Sequence, residues 1–112
     1  MTRTDPRLAD FQAVLFDMDG TLMNGAIVIE HGIEAMAAAR AKGLAIAFAT
    51  NNASRTPDMV VEHLTSLGYE AHANEVVNSP MVAMSLVKEH VEPGSTILVV
   101  GGRGLVEEVE RH

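Results

Sequence analysis

The stretch Ala13-Val14-Leu15-Phe16-Asp17-Met18-Asp19-Gly20-Thr21-Leu22 decides how the rest of the chain is read. Four consecutive apolar residues, Ala13 to Phe16, do not alternate with polar ones. Such a run reads as a strand buried on both faces, as in a parallel sheet covered by helices. It runs directly into Asp17, and a polar, glycine-containing loop follows as far as Gly25. Open parallel sheets carry their sites at the carboxyl ends of the strands. Two acids two residues apart at such an end are costly to ionise together. A divalent cation relieves that repulsion, and magnesium takes hard oxygen ligands. The same residues also fit a plain strand-to-loop turn with solvated acids, because Asp and Gly favour turns for local reasons.

Outward from this stretch, strands and helices alternate. Ile27-Val28-Ile29 is a short β-branched run beside the loop. Gly32 to Lys42 is alanine-rich and helix-favouring, with Ile33, Met36, Ala37 and Arg40 on one side and Gly43 as its stop. Leu44 to Ala49 is a second all-apolar strand, and Thr50 to Arg55 is a polar loop. Thr56-Pro57 has the form of an N-cap followed by proline at the first helical position. Val60, Val61, Leu64 and Leu67 carry that helix's apolar face, and Gly68 ends it. Val76-Val77 is a short strand. Ser79-Pro80 repeats the cap-plus-proline start of a helix that stops before Pro93. Thr96 to Val100 is predicted as a third strong strand, Gly101-Gly102 as a turn, and Leu105, Val106 and Val109 as the start of a last helix.

This alternation predicts an α/β fold, a Rossmann-like parallel sheet with helices on both faces. Asp17 and Thr50 then share one edge of the sheet. The covering helices are expected to bury Ile33, Met36, Val60, Leu64 and Val87.

Composition narrows the function. The length of 112 residues suits one domain. Eight Lys and Arg stand against 15 Asp and Glu, a net charge of -7, which is a poor basis for a nucleic-acid surface. Cysteine is absent, which excludes disulfides, thiolate zinc sites and cysteine nucleophiles. The five histidines are scattered, whereas zinc sites need clustered ligands. No apolar run approaches the roughly 20 residues needed to span a bilayer. The N-terminus, Met1 to Gln12, lacks the apolar stretch of a secretory signal. A cytoplasmic protein with neither nucleic-acid nor membrane partners is expected. Gly101-Gly102-Arg103-Gly104 lacks both the Walker lysine and the full dinucleotide pattern, so it reads as a turn.

Two motifs taken together say more. Phe16-Asp17-Met18-Asp19-Gly20-Thr21-Leu22 resembles the first signature of the haloacid dehalogenase (HAD) superfamily. Ala49-Thr50-Asn51-Asn52-Ala53-Ser54-Arg55-Thr56-Pro57 resembles the longer second signature of its NagD-type, or p-nitrophenylphosphatase-like, branch. Val76-Val77-Asn78-Ser79-Pro80 sits where that branch often has a Thr-Ser pair before a helix. Val99-Val100-Gly101-Gly102-Arg103-Gly104-Leu105 resembles its next strand and glycine turn.

The resemblance implies a magnesium-dependent phosphatase acting on a small phosphorylated metabolite. Asp17 is then the nucleophile that forms an aspartyl-phosphate, and Asp19 the general acid and base. The Asp17 carboxylate and the Asp19 carbonyl bind Mg2+, and Thr50 and Asn51 hold the phosphoryl group. The branch also carries a later basic motif and a later acidic motif, and this chain has a counterpart to neither. Its lysines are only Lys42 and Lys88, and neither follows a strand in the expected way. The expectation is therefore that residues 1–112 are the N-terminal part of a HAD-like core, catalytically incompetent alone and prone to self-association through an uncovered face. A non-catalytic HAD-like scaffold and a receiver-like phosphate- or metal-binding module are the alternatives. A receiver, however, carries its phosphoacceptor on a later strand.

Overall fold

The first apolar run forms strand β1 (Ala13–Asp17) in a computed structural model that describes residues 10–112. The reading of the N-terminus rests largely on residues 1–9, which lie outside the described residues. Two short strands follow, β2 (Met23–Asn24) and β3 (Ile27–Val28), paired antiparallel as a hairpin. Helix α1 (Gly32–Ala41) leads to β4 (Ala45–Thr50), and α2 (Pro57–Ser66) leads through a 3-10 turn at Ala73–Glu75 to β5 (Val76–Asn78). Helices α3 (Ser79–His90) and α4 (Arg103–Glu110) complete the described chain.

The main sheet has the order β1-β4-β5, and both pairings are parallel. The fold is therefore α/β and Rossmann-like, as expected. Within it the apolar runs alternate. Val14, Phe16, Ile46, Phe48 and Val76 share one face and one core with Met36 and Ala39 of α1 and Val60 and Leu64 of α2. Phe16 stacks on Phe48 across the β1–β4 pair at a centroid distance of 6.2 Å. On the opposite face Leu15 and Val77 are exposed. Strand propensity alone does not distinguish a run covered on one side from a run covered on two.

Several expectations change. The Thr96–Val100 run forms no regular element and pairs with no strand among the described residues, and Leu98 and Val100 are 89% and 84% exposed. The third parallel strand is β5 instead. β5 passes without a loop into α3, and the chain beyond Val100 is tied elsewhere, with Gly104 N–H donating to the Ser54 carbonyl. Apolar, β-branched composition makes pairing possible, but only an edge within reach makes it happen. Of the five residues expected under the helices, Met36, Val60 and Leu64 are buried, Val87 is half-buried and Ile33 is exposed.

Thr56 caps α2 as expected, accepting from Met59 N–H at 3.2 Å. The cap of α3 is Asn78 rather than Ser79, its Oδ1 accepting from Met81 N–H at 3.0 Å. An asparagine side chain serves this purpose as well as a serine, so Asn78-Ser79-Pro80 offers two candidate registers.

Candidate active site at the carboxyl edge of the sheet

Asp17 ends β1 and Thr50 ends β4. In the parallel register Asp17 pairs with Ala49, so Thr50 lies one residue further along the same edge. The expected juxtaposition is present. Thr50 in turn pairs with Asn78 at the end of β5, which brings the start of α3 to that edge as well.

The chain leaving β1 is not a floppy polar loop. Met18, Leu22 and Met23 are among the most buried residues of the protein, while Asp17 and Asp19 face outward. Burying the methionine between two acids is what turns both acids to solvent. The Met18 carbonyl accepts from the N–H groups of Thr21, Leu22 and Met23, at 3.1, 2.8 and 3.3 Å, and closes a tight turn. Gly20 sits in that turn at φ 86°, a left-handed conformation that glycine adopts without steric cost, and its N–H donates to the Met23 carbonyl at 2.8 Å. These bonds use Met18 O and Met23 O and leave the Asp19 carbonyl out of the ladder. One oxygen of the Asp17 carboxylate accepts from Met18 N–H at 3.0 Å.

The turn is anchored from below. The Leu22 carbonyl accepts from the buried Tyr69 hydroxyl at 2.7 Å and from Ile29 N–H at 3.1 Å. Burial pushes the Tyr69 phenol above its ordinary range, with Glu34 adding to the effect. Across the hairpin tip, His63 Nε2 of α2 lies 3.0 Å from the Gly25 carbonyl, the distance of a donated ring N–H.

The second loop is built from its own side chains. Thr50 Oγ1 accepts from Asn52 N–H at 3.1 Å, and Asn52 Oδ1 accepts from both the N–H and the hydroxyl of Ser54. These are the local side-chain-to-backbone bonds for which Thr and Asn are favoured in turns. Asn51 is exposed, and its carbonyl lies 3.4 Å from Ser79 Oγ.

The glycine turn, read from sequence as a plain turn, seals this loop from outside. A Cβ at Gly104 would lie 2.5 Å from the Arg55 carbonyl oxygen and 2.7 Å from that of Ala53. Only a residue without a side chain allows α4 to approach the backbone so closely.

Sequence reasoning missed Tyr69, Asn78 and Gly104 as supports of the site. Asn78 directly before Ser-Pro was the one legible signal. Among the described residues, no group of three or more Asp, Glu or His side chains gathers around a point that could hold a metal ion.

The family model described as haloacid dehalogenase-like hydrolase matches residues 14–112. The chain belongs to the haloacid dehalogenase-like hydrolase family. Within it, the chain is 35% identical over 100 residues to a D-glycerol 3-phosphate phosphatase of Mycobacterium tuberculosis, covering 89% of this chain and 28% of that protein. An acid sugar phosphatase of Staphylococcus aureus is 31% identical over 98 residues, covering 88% of this chain and 38% of its own length. This HAD chain thus spans about a third of the curated relatives it matches. Among solved structures, glycerol phosphate phosphatase from M. tuberculosis in complex with magnesium superposes with a TM-score of 0.84. The pair is 33% identical, with 93% of this chain and 31% of that one covered. A hypothetical protein from Pyrococcus horikoshii OT3 gives 0.82 at 34% identity, covering 88% and 38%.

Proposed function

We propose that this chain is the nucleophile-bearing part of a magnesium-dependent phosphatase for small phosphate monoesters. The observation that carries the reading is the placement of Asp17, Asp19 and Thr50 at one carboxyl edge of a parallel sheet, in a chain whose HAD relatives are phosphatases. The matched segment spans about a third of these relatives, and a complete site of this kind also needs a basic group and a further acid.

The donor set fits a magnesium ion in part. The exposed Asp17 carboxylate and the unengaged Asp19 carbonyl are hard oxygen donors, and magnesium is commonly held by one or two carboxylates while keeping several waters. A relative solved with magnesium supports the same reading. When bound, the ion supplies charge neutralisation at the phosphoryl oxygens.

The chain's own residues account for the chemistry. The free oxygen of Asp17 attacks phosphorus, a bond from Asp17 to phosphorus forms and the bond to the leaving alkoxide breaks. Asp19 gives that alkoxide its proton. Asp19 then takes a proton from water, the water oxygen attacks phosphorus, and Asp17 is released with inorganic phosphate. Thr50 and Asn51 orient the phosphoryl oxygens, the positioning that dominates this class of reaction.

The test is hydrolysis of p-nitrophenyl phosphate with magnesium. Residues 1–112 alone are expected to turn over negligibly, because losing one preorganised electrostatic group costs about 100- to 1000-fold. A longer protein carrying these residues is expected to be active, and Asp17→Asn to abolish that activity. Ordinary turnover by the 112-residue chain that survives Asp17→Asn contradicts the assignment. A module that binds phosphate or metal without turnover is the second reading. It predicts an inactive longer protein in the same assay.

A further inference from the structure

The backbone from Thr96 to Val100 has no partner. None of its N–H or C=O groups bonds to another backbone group among the described residues, and no strand pairs with it. Its side chains alternate in exposure. Leu98 and Val100 stand in solvent, while Val99 is half-buried and Ile97 lines a groove with Met84 and Val87 of α3 and Val109 of α4. A period of two is the spacing of a chain with one side on the protein and the other bare. Water serves the bare backbone groups, but it does not serve the Leu98 and Val100 side chains.

The surrounding sequence says what fits this run. Ser95 to Gly102 carries no charge and no proline, and its β-branched residues favour strands. Such a segment with open backbone groups is a template for another strand. Each copy of the chain carries a net charge of -7, so two copies repel except where they meet through uncharged surface. The flanks set the direction, because Glu92 precedes the run and Arg103 follows it. Antiparallel pairing of two copies brings the Arg103 end of each toward the Glu92 end of the other. Parallel pairing sets like charge beside like charge. A two-fold axis also closes the contact at two copies, because both use the same surface. Pairing the run with the outer edge of β1 in another copy is head-to-tail and does not close.

We propose that Thr96–Val100 is the dimerisation segment of this chain, pairing antiparallel with its own copy about a two-fold axis at Leu98. Leu98 then lies opposite Leu98, Ile97 opposite Val99 and Thr96 opposite Val100. Leu98 and Val100 of both copies form one apolar strip across the pair. The proposal stands independently of the phosphatase reading.

The test measures the dimer dissociation constant by sedimentation equilibrium. Leu98→Lys sets two like charges directly opposite each other, and Leu98→Glu does so with the other sign. Each is expected to weaken the dimer about tenfold. Both are expected to leave the fold intact, because Leu98 is 89% exposed. An equimolar mixture of the two variants is expected to dimerise about fivefold more tightly than either alone, because opposite charges then face each other. In the unsubstituted dimer, amide exchange is expected to be slow at every second residue of the run, since only alternate residues of an antiparallel pair bond across it. A chain that is monomeric at every concentration overturns the proposal. So does a mixture that associates no more tightly than its components, and so does fast exchange throughout the run.

Discussion

Two side-chain contacts between segments distant in sequence tie the fold together. Tyr69 donates to the Leu22 carbonyl across 47 residues of sequence, from a buried position under the turn that carries Asp19. Tyr69→Phe keeps the packing and leaves that carbonyl with only the Ile29 N–H. The expected loss is about 1 kcal/mol of stability, read by urea denaturation. No loss would mean that the bond contributes nothing net. Arg40 and Glu75 are the second case. In sequence Arg40 falls in the apolar stripe of α1. In the fold it makes a two-pronged bond to Glu75 at 2.9 and 2.8 Å and donates to the Glu70 carbonyl at 2.8 Å. Its Nε lies 3.0 Å from Glu70 Oε2, an ion-pair contact. The bond from Arg40 holds the Glu75 carboxyl below its ordinary value of 4.5, helped by the His72 N–H, while burial works against both. A carboxyl held low in the folded state stabilises the fold above its unfolded pKa, and that contribution disappears as pH falls through the folded value. Stability is therefore expected to drop on acidification below 4.5, and Glu75→Gln to flatten this dependence. Parallel pH profiles for both chains would exclude Glu75 as the cause.

Among the elements, starts were easier to read than pairings. Thr56-Pro57 signals its helix through local bonds that need nothing from the rest of the chain, and α2 begins there. The Asn78-Ser79-Pro80 start was legible to within one residue, because two adjacent side chains are both good caps. The Thr96–Val100 run was misread because strand identity belongs to a pair, and its partner is not encoded in its own composition. Helix α4 supplies the prediction at this scale. Gly104→Ala drives a methyl group into the Arg55 and Ala53 carbonyls, which are backbone atoms and cannot rotate away. The substitution is expected to separate α4 from the Asn52–Arg55 loop and to cost about 1–3 kcal/mol, the usual range for overpacking. Amide exchange at Gly104, whose N–H donates to Ser54, should accelerate in the variant. Unchanged protection would show that the contact is easily relieved.

For the whole molecule, the decisive feature is that the described residues leave apolar positions on one face of the sheet open. Leu15 at 67% exposure, Val77, and the unpaired Leu98 and Val100 present apolar surface, and β1 has no strand on its outer side among the described residues. Open edges with apolar neighbours pair with other strands. Residues 1–112 are expected to associate with a second copy, seen as concentration-dependent mass in light scattering. Leu98→Lys together with Val100→Lys is expected to shift the mixture toward monomer. A monomer at all concentrations would show that this surface does not drive association. No helix of the described residues is long and apolar enough to cross a membrane.

The sequence by itself determined the two strand-end motifs, the order of the first strands and helices, the cap of α2 and the shared edge of Asp17 and Thr50. Those features follow from local rules: apolar runs, caps, turn residues and the direction of a parallel sheet. Only the tertiary structure decided which apolar run became the third strand, which face of the sheet was covered, and that Arg40 would be spent on an ion pair. It also placed Tyr69, Asn78 and Gly104 behind the site. Each of these depends on a partner tens of residues away, and the free energy of a contact is a property of both partners, which no local pattern records.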